Sequence, residues 1–269
     1  MLDQAITQLT GQKTLGTGNF DFIYGGNAAK WLKFAYALRA RVALHTILRA
    51  SDKTAVYVQI LSDIENSFAS SADQAQFAKY DGDNQLSPLG AFQYSRESRG
   101  ASKSIAEKYA ERNDPRGDII FCGNYWVDEC AHYTMDNEDF TPVPNGERSE
   151  AQEWYTEDCF LWTLNAPTYL LSYAELQFIK AEVLARMGRT VEAKAATEEA
   201  IKAAFEITNV NVESAQNCWG FGYEGDYLTD ADATAYYTAV VAPKSGGDLL
   251  AEIMVQKYLS FHGANGGSV

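Results

Sequence analysis

Histidine, cysteine and proline are scarce, with 3, 4 and 6 residues in a chain of 269. None of His45, His132 and His262 falls in H-E-x-x-H or another two-histidine spacing, which removes the zinc-peptidase signature. His45, inside a mostly apolar helical stretch, reads as a packed core histidine. Cys122, Cys130, Cys159 and Cys218 form no C-x-x-C pair, so a structural zinc site has little support. Their even count leaves two options open, a Cys122–Cys130 disulfide in an oxidising compartment or free buried thiols. Basic residues are in deficit, 22 against 36 acidic, giving 22 − 36 = −14. With a pI near 4.6, the chain is unsuited to nucleic-acid backbones and to anionic membrane surfaces. No apolar run approaches the roughly 20 residues that span a bilayer. The start, Met1-Leu2-Asp3-Gln4, lacks a basic n-region, an apolar h-region and a cleavage site. Taken alone it reads as cytoplasmic, or as a mature or truncated chain. G-x-S-x-G and the Walker A loop are missing. Gly220-Phe221-Gly222-Tyr223-Glu224-Gly225 matches G-x-G-x-x-G, but its flanks are not β-rich, so it reads as an aromatic glycine-rich loop.

Apolar residues make up 46% and charged residues 22%, the balance of a globular chain. A compact fold of this length has a radius of gyration of about 18 Å, enough for a sizeable core. Residues 1–26, with five glycines, read as an irregular lead-in. Asn27 can cap a helix to about Ala50, with Trp31, Ala35, Leu38 and Val42 on one face. A second helix follows from Asp52 to Phe68, so residues 27–68 read as a helical hairpin. Residues 70–100 read as polar turns, with Asp81-Gly82-Asp83-Asn84 as a turn cluster. A short helix over 101–112 stops at Asn113-Asp114-Pro115-Arg116. Residues 118–127 are strand-like in content, and 128–166 form a long irregular stretch of a kind that often carries function. The clearest signal is 168–206, where Tyr173 to Met187 is one helix and Thr190 can cap an alanine-rich second helix to about Glu206. Ala181, Gly188, Ala193 and Ala200 suit a tetratricopeptide-type hairpin. Residues 207–247 read as irregular, and a last helix covers Leu249 to Phe261.

Aromatics are abundant, with 16 Tyr, 13 Phe and 5 Trp. Seven of them, including Tyr125, Trp126, Tyr133 and Trp154, fall in or beside the region 118–166. Trp and Tyr offer a flat apolar face with a polar handle, and the C–H face of a sugar stacks on such a surface while its hydroxyls seek polar partners. Asn124, Asp128, Asn137 and Asn145 are close in sequence. Tyr125, Trp126, Tyr133 and Trp154 are therefore the candidate ligand-binding residues, the other rings plugging the core beneath. Acidic clusters at Asp136, Glu138 and Asp139 and at Asp226, Asp230 and Asp232 could hold Ca²⁺, yet no D-x-D-x-D-G loop is present, so a solvated acidic loop is the plainer reading. No cofactor and no catalytic residue is expected. A glycoside hydrolase would need two carboxylates about 5–9.5 Å apart, and nothing beyond acidic composition nominates a pair.

Several segments, taken in order, resemble the SusD/RagB family. They are Tyr24-Gly25-Gly26, Lys30-Trp31-Leu32-Lys33-Phe34 and Leu38-Arg39-Ala40-Arg41; then Asp114-Pro115-Arg116; then Tyr173-Ala174-Glu175 through Phe178, Lys180, Ala181 and Glu182; and last Gln256-Lys257. The matches span about residues 24–258. The resemblance implies a mainly α fold with tetratricopeptide-type hairpins and long irregular loops, one domain over 1–269. It further implies a non-catalytic lipoprotein at the outer-membrane cell surface, which captures glycans or peptides and hands them to a SusC-like TonB-dependent transporter. Family members begin with a signal peptide and an acylated cysteine and continue past the Gln-Lys helix. Neither feature is visible here, so the chain is expected to be a fragment, with membrane contact through an N-terminal anchor that it does not include. The expected function is glycan capture. The alternatives are a peptide-binding relative, a tetratricopeptide-type adaptor and, with least support, a glycoside hydrolase.

Overall fold

The computed structural model describes residues 1–96, 100–121, 135–136, 138–146, 155–156, 163–219 and 227–262, with side chains omitted at 93–96 and 215–219. The described residues are mainly helical. Helix α1 is Leu2–Leu9, α2 Ala28–His45, α3 Lys53–Glu65, α4 Pro88–Arg96, α5 Lys103–Ala110 and α6 Gly117–Ile120. Then come α7 Tyr173–Arg186, α8 Thr190–Trp219, α9 Asp230–Val240 and α10 Gly246–Phe261. A two-stranded antiparallel ribbon joins β1 (Ala75–Phe77) to β2 (Thr168–Leu171), with Ala75 opposite Leu171 and Phe77 opposite Thr168. Among the described residues, no helix is long and apolar enough to cross a membrane.

Helix α7 is the hub. Eleven of its fourteen residues are buried, as expected of a helix enclosed on all sides. One face, with Leu176, Ile179 and Val183, meets Ala37, Ala40 and Leu44 of α2 and Ile60 and Ile64 of α3. The opposite face, with Phe178, Ala181 and Leu184, meets Ala193, Ala196 and Ala200 of α8 and then α9 and α10. Ser172 caps the helix, its Oγ accepting from Glu175 N at 3.1 Å. At the other end Gly188 takes φ +75°, Arg189 N donates to Leu184 O, and Gly188 N donates to Ala185 O. This paired closure needs a left-handed residue, which glycine supplies at least cost. The turn sends α8 back along α7. A third core holds Ile105 and Tyr109 of α5, Ile120 and Phe121 at the end of α6, and Leu259 of α10.

Asn27 caps α2, accepting from Lys30 N, and Asp52 caps α3, accepting from Ala55 N. The Asp81 carboxylate gathers the N–H groups of Asp83, Asn84 and Gln85 into one turn. Several other expectations are corrected. The lead-in begins with a helix, α1. On α2 the buried residues are Ala28, Ala35, Ala37, Ala40 and Leu44, so of the expected face Ala35 is buried while Val42 is 44% exposed; alanines let neighbouring helices approach. His45 is exposed, not a core histidine. The stretch from 118 is not strand-like at its start: α6 ends at Ile120, its two isoleucines buried, and periodicity cannot separate so short an apolar run into helix or strand. Among the described residues the strands are at 75–77 and 168–171, and 122–127 lie outside the described residues. Thr190 is the first helical residue of α8, not its cap. Helix α8 runs on to Trp219 because no Gly or Pro interrupts it. The region 207–247 also contains α9, whose entry is a capping box between Thr229 and Asp232.

Candidate ligand-binding site

The candidate loops spring from one compact frame. Ala101 N donates to Thr156 O at 2.8 Å, Val143 N to Ala101 O at 2.8 Å, and Lys103 N to Val143 O at 2.7 Å. Thr156 N donates to Thr141 O at 3.0 Å, and Thr141 N returns a bond to the buried Thr156 Oγ1 at 2.9 Å. Ser102 Oγ donates to Asn145 Oδ1. Across the frame, Met135 N donates to Asp118 Oδ1 at 2.9 Å. Phe121 stacks edge-on against Tyr109 and Phe140, so Phe140 is one of the rings that fill the core. Helix α4 closes the far side. Ser87 N donates to Leu164 O at 2.6 Å, and a Cβ on Gly90 would fall 2.4 Å from Thr163 O. That approach leaves room only for glycine.

Tyr125, Trp126, Tyr133 and Trp154 lie outside the described residues, as do Asn124, Asp128, Asn137 and the glycine pattern 220–225. Their sequence neighbours do belong to the frame: Phe121 before Tyr125, Met135 after Tyr133, and Thr156 after Trp154. Cys122, Cys130 and Cys159 are likewise outside, and the Cys218 side chain is not described. Residue 219 ends a 30-residue helix, whereas a dinucleotide loop follows a strand. Asp136, Glu138 and Asp139 are exposed. Asp232 serves the helix cap. Among the described residues, no group of three or more His, Cys, Asp or Glu could hold a metal ion.

The helical hairpin carries a second concave surface that the sequence reading missed. Tyr173 donates its hydroxyl to Glu199 Oε1 at 3.2 Å and stands between two open grooves of about 300 and 390 Å³. Glu206, Asn209 and Asp230 line the first, and Gln177, Lys180 and Arg189 the second. Burial and the Glu199 charge push the Tyr173 hydroxyl up to about 12, so it remains a donor at neutral pH. Asn209 is committed to Leu228 through both amide atoms, and Glu206 accepts from Ser71. The signal was present as a polar row at 173, 177 and 180 on an otherwise buried helix, facing acids every seven residues at 192, 199 and 206. An outward row of rings also escaped notice. Phe22 packs on Phe77 at 6.2 Å and Phe77 on Tyr80 at 4.8 Å, beside the Tyr80–Thr168 hydroxyl pair.

Apart from Tyr173, Gln177 and Lys180, which line the grooves, the charged residues of the signature segments clamp the frame. Arg41 Nε donates to Glu175 Oε1 at 2.6 Å, and its Nη2 reaches Leu170 O at 2.8 Å. Arg39 holds Asp63 through two bonds. Lys257 Nζ meets Glu182 Oε2 at 3.1 Å. Arg116 grips Asp114 through Nε and Nη2 at 3.0 and 2.6 Å. Trp31 Nε1 donates to Asp21 Oδ2 at 2.6 Å. The family model described as starch-binding associating with outer membrane, SusD-like, matches residues 1–266. The chain belongs to the SusD-like family. It is similar to a SusD/RagB family protein of Bacteroides thetaiotaomicron, with 35% identity and a TM-score of 0.87, covering 98% of this chain and 56% of that one. It shares its fold with a SusD homologue of Bacteroides fragilis, at 20% identity and TM-score 0.76, covering 96% of this chain and 56% of that one. The same fold occurs in a chitin-binding protein, at 19% identity and TM-score 0.71, covering 97% of this chain and 55% of that one. Comparison with curated proteins returns no match. This SusD-like chain spans just over half the length of these solved relatives.

Proposed function

We propose that this SusD-like protein captures oligosaccharides at the outer-membrane surface and passes them to a SusC-like TonB-dependent transporter, without chemistry of its own. The observation that carries the reading is the family match over residues 1–266. The braced frame supports it, because a rigid base lowers the ordering cost of loops that close on a ligand. In this reading Tyr125, Trp126, Tyr133 and Trp154 stack on sugar rings, and loop amides and carboxylates read the hydroxyls. Each sugar hydrogen bond replaces one to water and nets only about 0.5–1.5 kcal/mol. Monosaccharides then bind weakly, and longer chains gain from each further stacked ring. Attachment to the membrane is through a lipid anchor on the full-length protein. No cofactor takes part, so a chelator leaves binding unchanged.

Calorimetric titration against a panel of oligosaccharides and peptides, with product analysis of each mixture, tests this. Binding of one glycan class without turnover is expected. Cleavage would move the protein to the hydrolases. Binding of peptides alone would favour the Tyr173 groove, whose row of acids and cations is the feature best suited to an extended peptide. Replacing Trp126 or any of the other three candidate residues with Ala is expected to weaken glycan binding by about 3- to 10-fold, in line with an aromatic contact worth on the order of 1 kcal/mol. Unchanged affinity in all four single variants would remove the site assignment.

A further inference from the structure

The strongest unassigned feature is an asparagine–glycine pair. Asparagine is followed by glycine twice in the chain, at 145 and at 265. The first pair lies among the described residues, both members exposed. It is carried by the compact frame. Val143 N donates to Ala101 O and Lys103 N to Val143 O, so Ser102 lies alongside the chain just before Asn145. Ser102 Oγ donates to Asn145 Oδ1 at 3.0 Å, and Ser104 Oγ is 3.0 Å from the same hydroxyl. Gly146 takes φ +81°, and a Cβ there would meet nothing within 4 Å. Among the described residues, neither Gly146 N nor Asn145 Nδ2 has a hydrogen-bond partner.

From these contacts we infer that Asn145-Gly146 is a site of spontaneous deamidation, promoted by the Ser102 hydroxyl. In the first step Gly146 N attacks Asn145 Cγ. The new N–C bond closes a five-membered succinimide. The amide proton passes through water to Nδ2, the Cγ–Nδ2 bond breaks, and ammonia leaves. Water then adds to either carbonyl of the ring and opens it, leaving an aspartyl or an isoaspartyl residue at 145. Each requirement has its observation. The nucleophile carries no side chain to hinder attack and no hydrogen bond that must first break. It is joined to its target through the chain, so the encounter costs little entropy. The leaving nitrogen is unheld. Negative charge develops on Oδ1 as the ring closes, and Ser102 already donates to that atom, a donor placed where charge appears. Asn66-Ser67 shows the contrast. There Asn66 Nδ2 donates to Ser62 O and Ser67 N to Ile64 O, so leaving group and nucleophile are both occupied.

The test is peptide mass mapping of the folded protein after incubation at neutral pH, with enzymatic labelling of isoaspartyl residues. The peptide containing residue 145 is expected to gain one mass unit and to take the label. The pair at 265–266, read in the same digest, is the chemical reference. Ser102→Ala is expected to slow conversion at 145 by about 3- to 10-fold, the range of one hydrogen bond, with conversion at 265 unchanged. Ser102→Thr, which keeps a hydroxyl, is expected to retain most of the rate. Circular dichroism melts establish that each variant is compared as a folded chain. Conversion at 265 with residue 145 left intact overturns the inference. Conversion at 145 that is equally fast or faster in Ser102→Ala overturns the role of the hydroxyl, since the bond would then be idle or a restraint.

Discussion

Asp114→Ala offers the sharpest test of how the frame is held. Asp114 is fully buried and Arg116 is 2% exposed. The carboxylate accepts three bonds from Arg116, from its backbone N at 3.0 Å, Nε at 3.0 Å and Nη2 at 2.6 Å. The guanidinium also lies 5.1 Å from the Phe205 ring centre and 5.6 Å from that of Tyr109. Burial works against the Arg116 charge, and Asp114 outweighs it, so the guanidinium is held firmly protonated. Truncating Asp114 leaves that charge with two rings and a distant Gln256 oxygen at 3.5 Å. Breaking a buried pair from one side costs about 3–5 kcal/mol. Unfolding entropy for a chain of this length is on the order of 0.56 kcal/mol/K, so Tm should drop by roughly 7 °C. Urea and thermal melts followed by far-UV circular dichroism read the change. The double variant Asp114→Ala/Arg116→Met is the control. It removes the stranded charge and should recover roughly 2 kcal/mol, the remainder being the Arg116 N–H and the Tyr236 hydroxyl, which both lose Asp114 as a partner. A single variant that costs under about 1 kcal/mol, or a double variant no better than the single, would refute the reasoning.

Two further expectations come from the same frame. Gly90→Ala sets a methyl group against the Thr163 carbonyl, an atom of backbone that cannot swing aside. It should cost about 1–3 kcal/mol in a thermal melt, and a neutral result would mean that α4 can slide on the 163–164 strip. Asp21 carries a pH dependence. Burial works against its charge, but bonds from Trp31 and from the N–H groups of Tyr24, Gly26 and Ile23 prevail and hold its carboxyl below the usual value. A depressed carboxyl contributes fully above the unfolded value near 4 and loses its contribution as pH falls through the folded value. Stability should therefore decline below roughly pH 4, and Asp21→Asn should flatten part of that decline. Identical pH slopes in variant and wild type would count against the Asp21 linkage.

How much was readable from the sequence depended on whether a local rule decided the matter. Ser172, Asn27 and Gly188 are local devices, and the elements they bound lie where their chemistry puts them. Helix α9 also has a local signal, Thr229 with Asp232, but its glycine- and tyrosine-rich approach obscured it. The pair Ile119-Ile120 shows the limit of local reading. Two buried β-branched residues suit a strand, yet the Asp114–Arg116 turn just before them starts a helix, and nothing within the pair reveals that. The two strands among the described residues are three and four residues long, and each is a strand only because the other lies opposite. The Tyr173 groove has the same character: its polar row is visible in sequence, but the facing acids come from another helix.

The ion pairs explain why the family was easier to recognise than the ligand. A charge inside a low-dielectric core is tolerated only beside its partner, so neither member can drift alone. Arg41 answers Glu175 across 134 positions of sequence, and Lys257 answers Glu182 across 75. Such residues mark a chain as built on this frame whatever it binds. Stacking residues face a different demand, since an aromatic ring on a loop needs only a rigid base and an open face, and its place can change with each ligand at little cost to the core. The segments that identify this protein are therefore those that hold α2, α7 and α10 together. In the glycan-capture reading proposed above, the residues that contact ligand follow Phe121 and Thr141, whose contacts anchor the frame there.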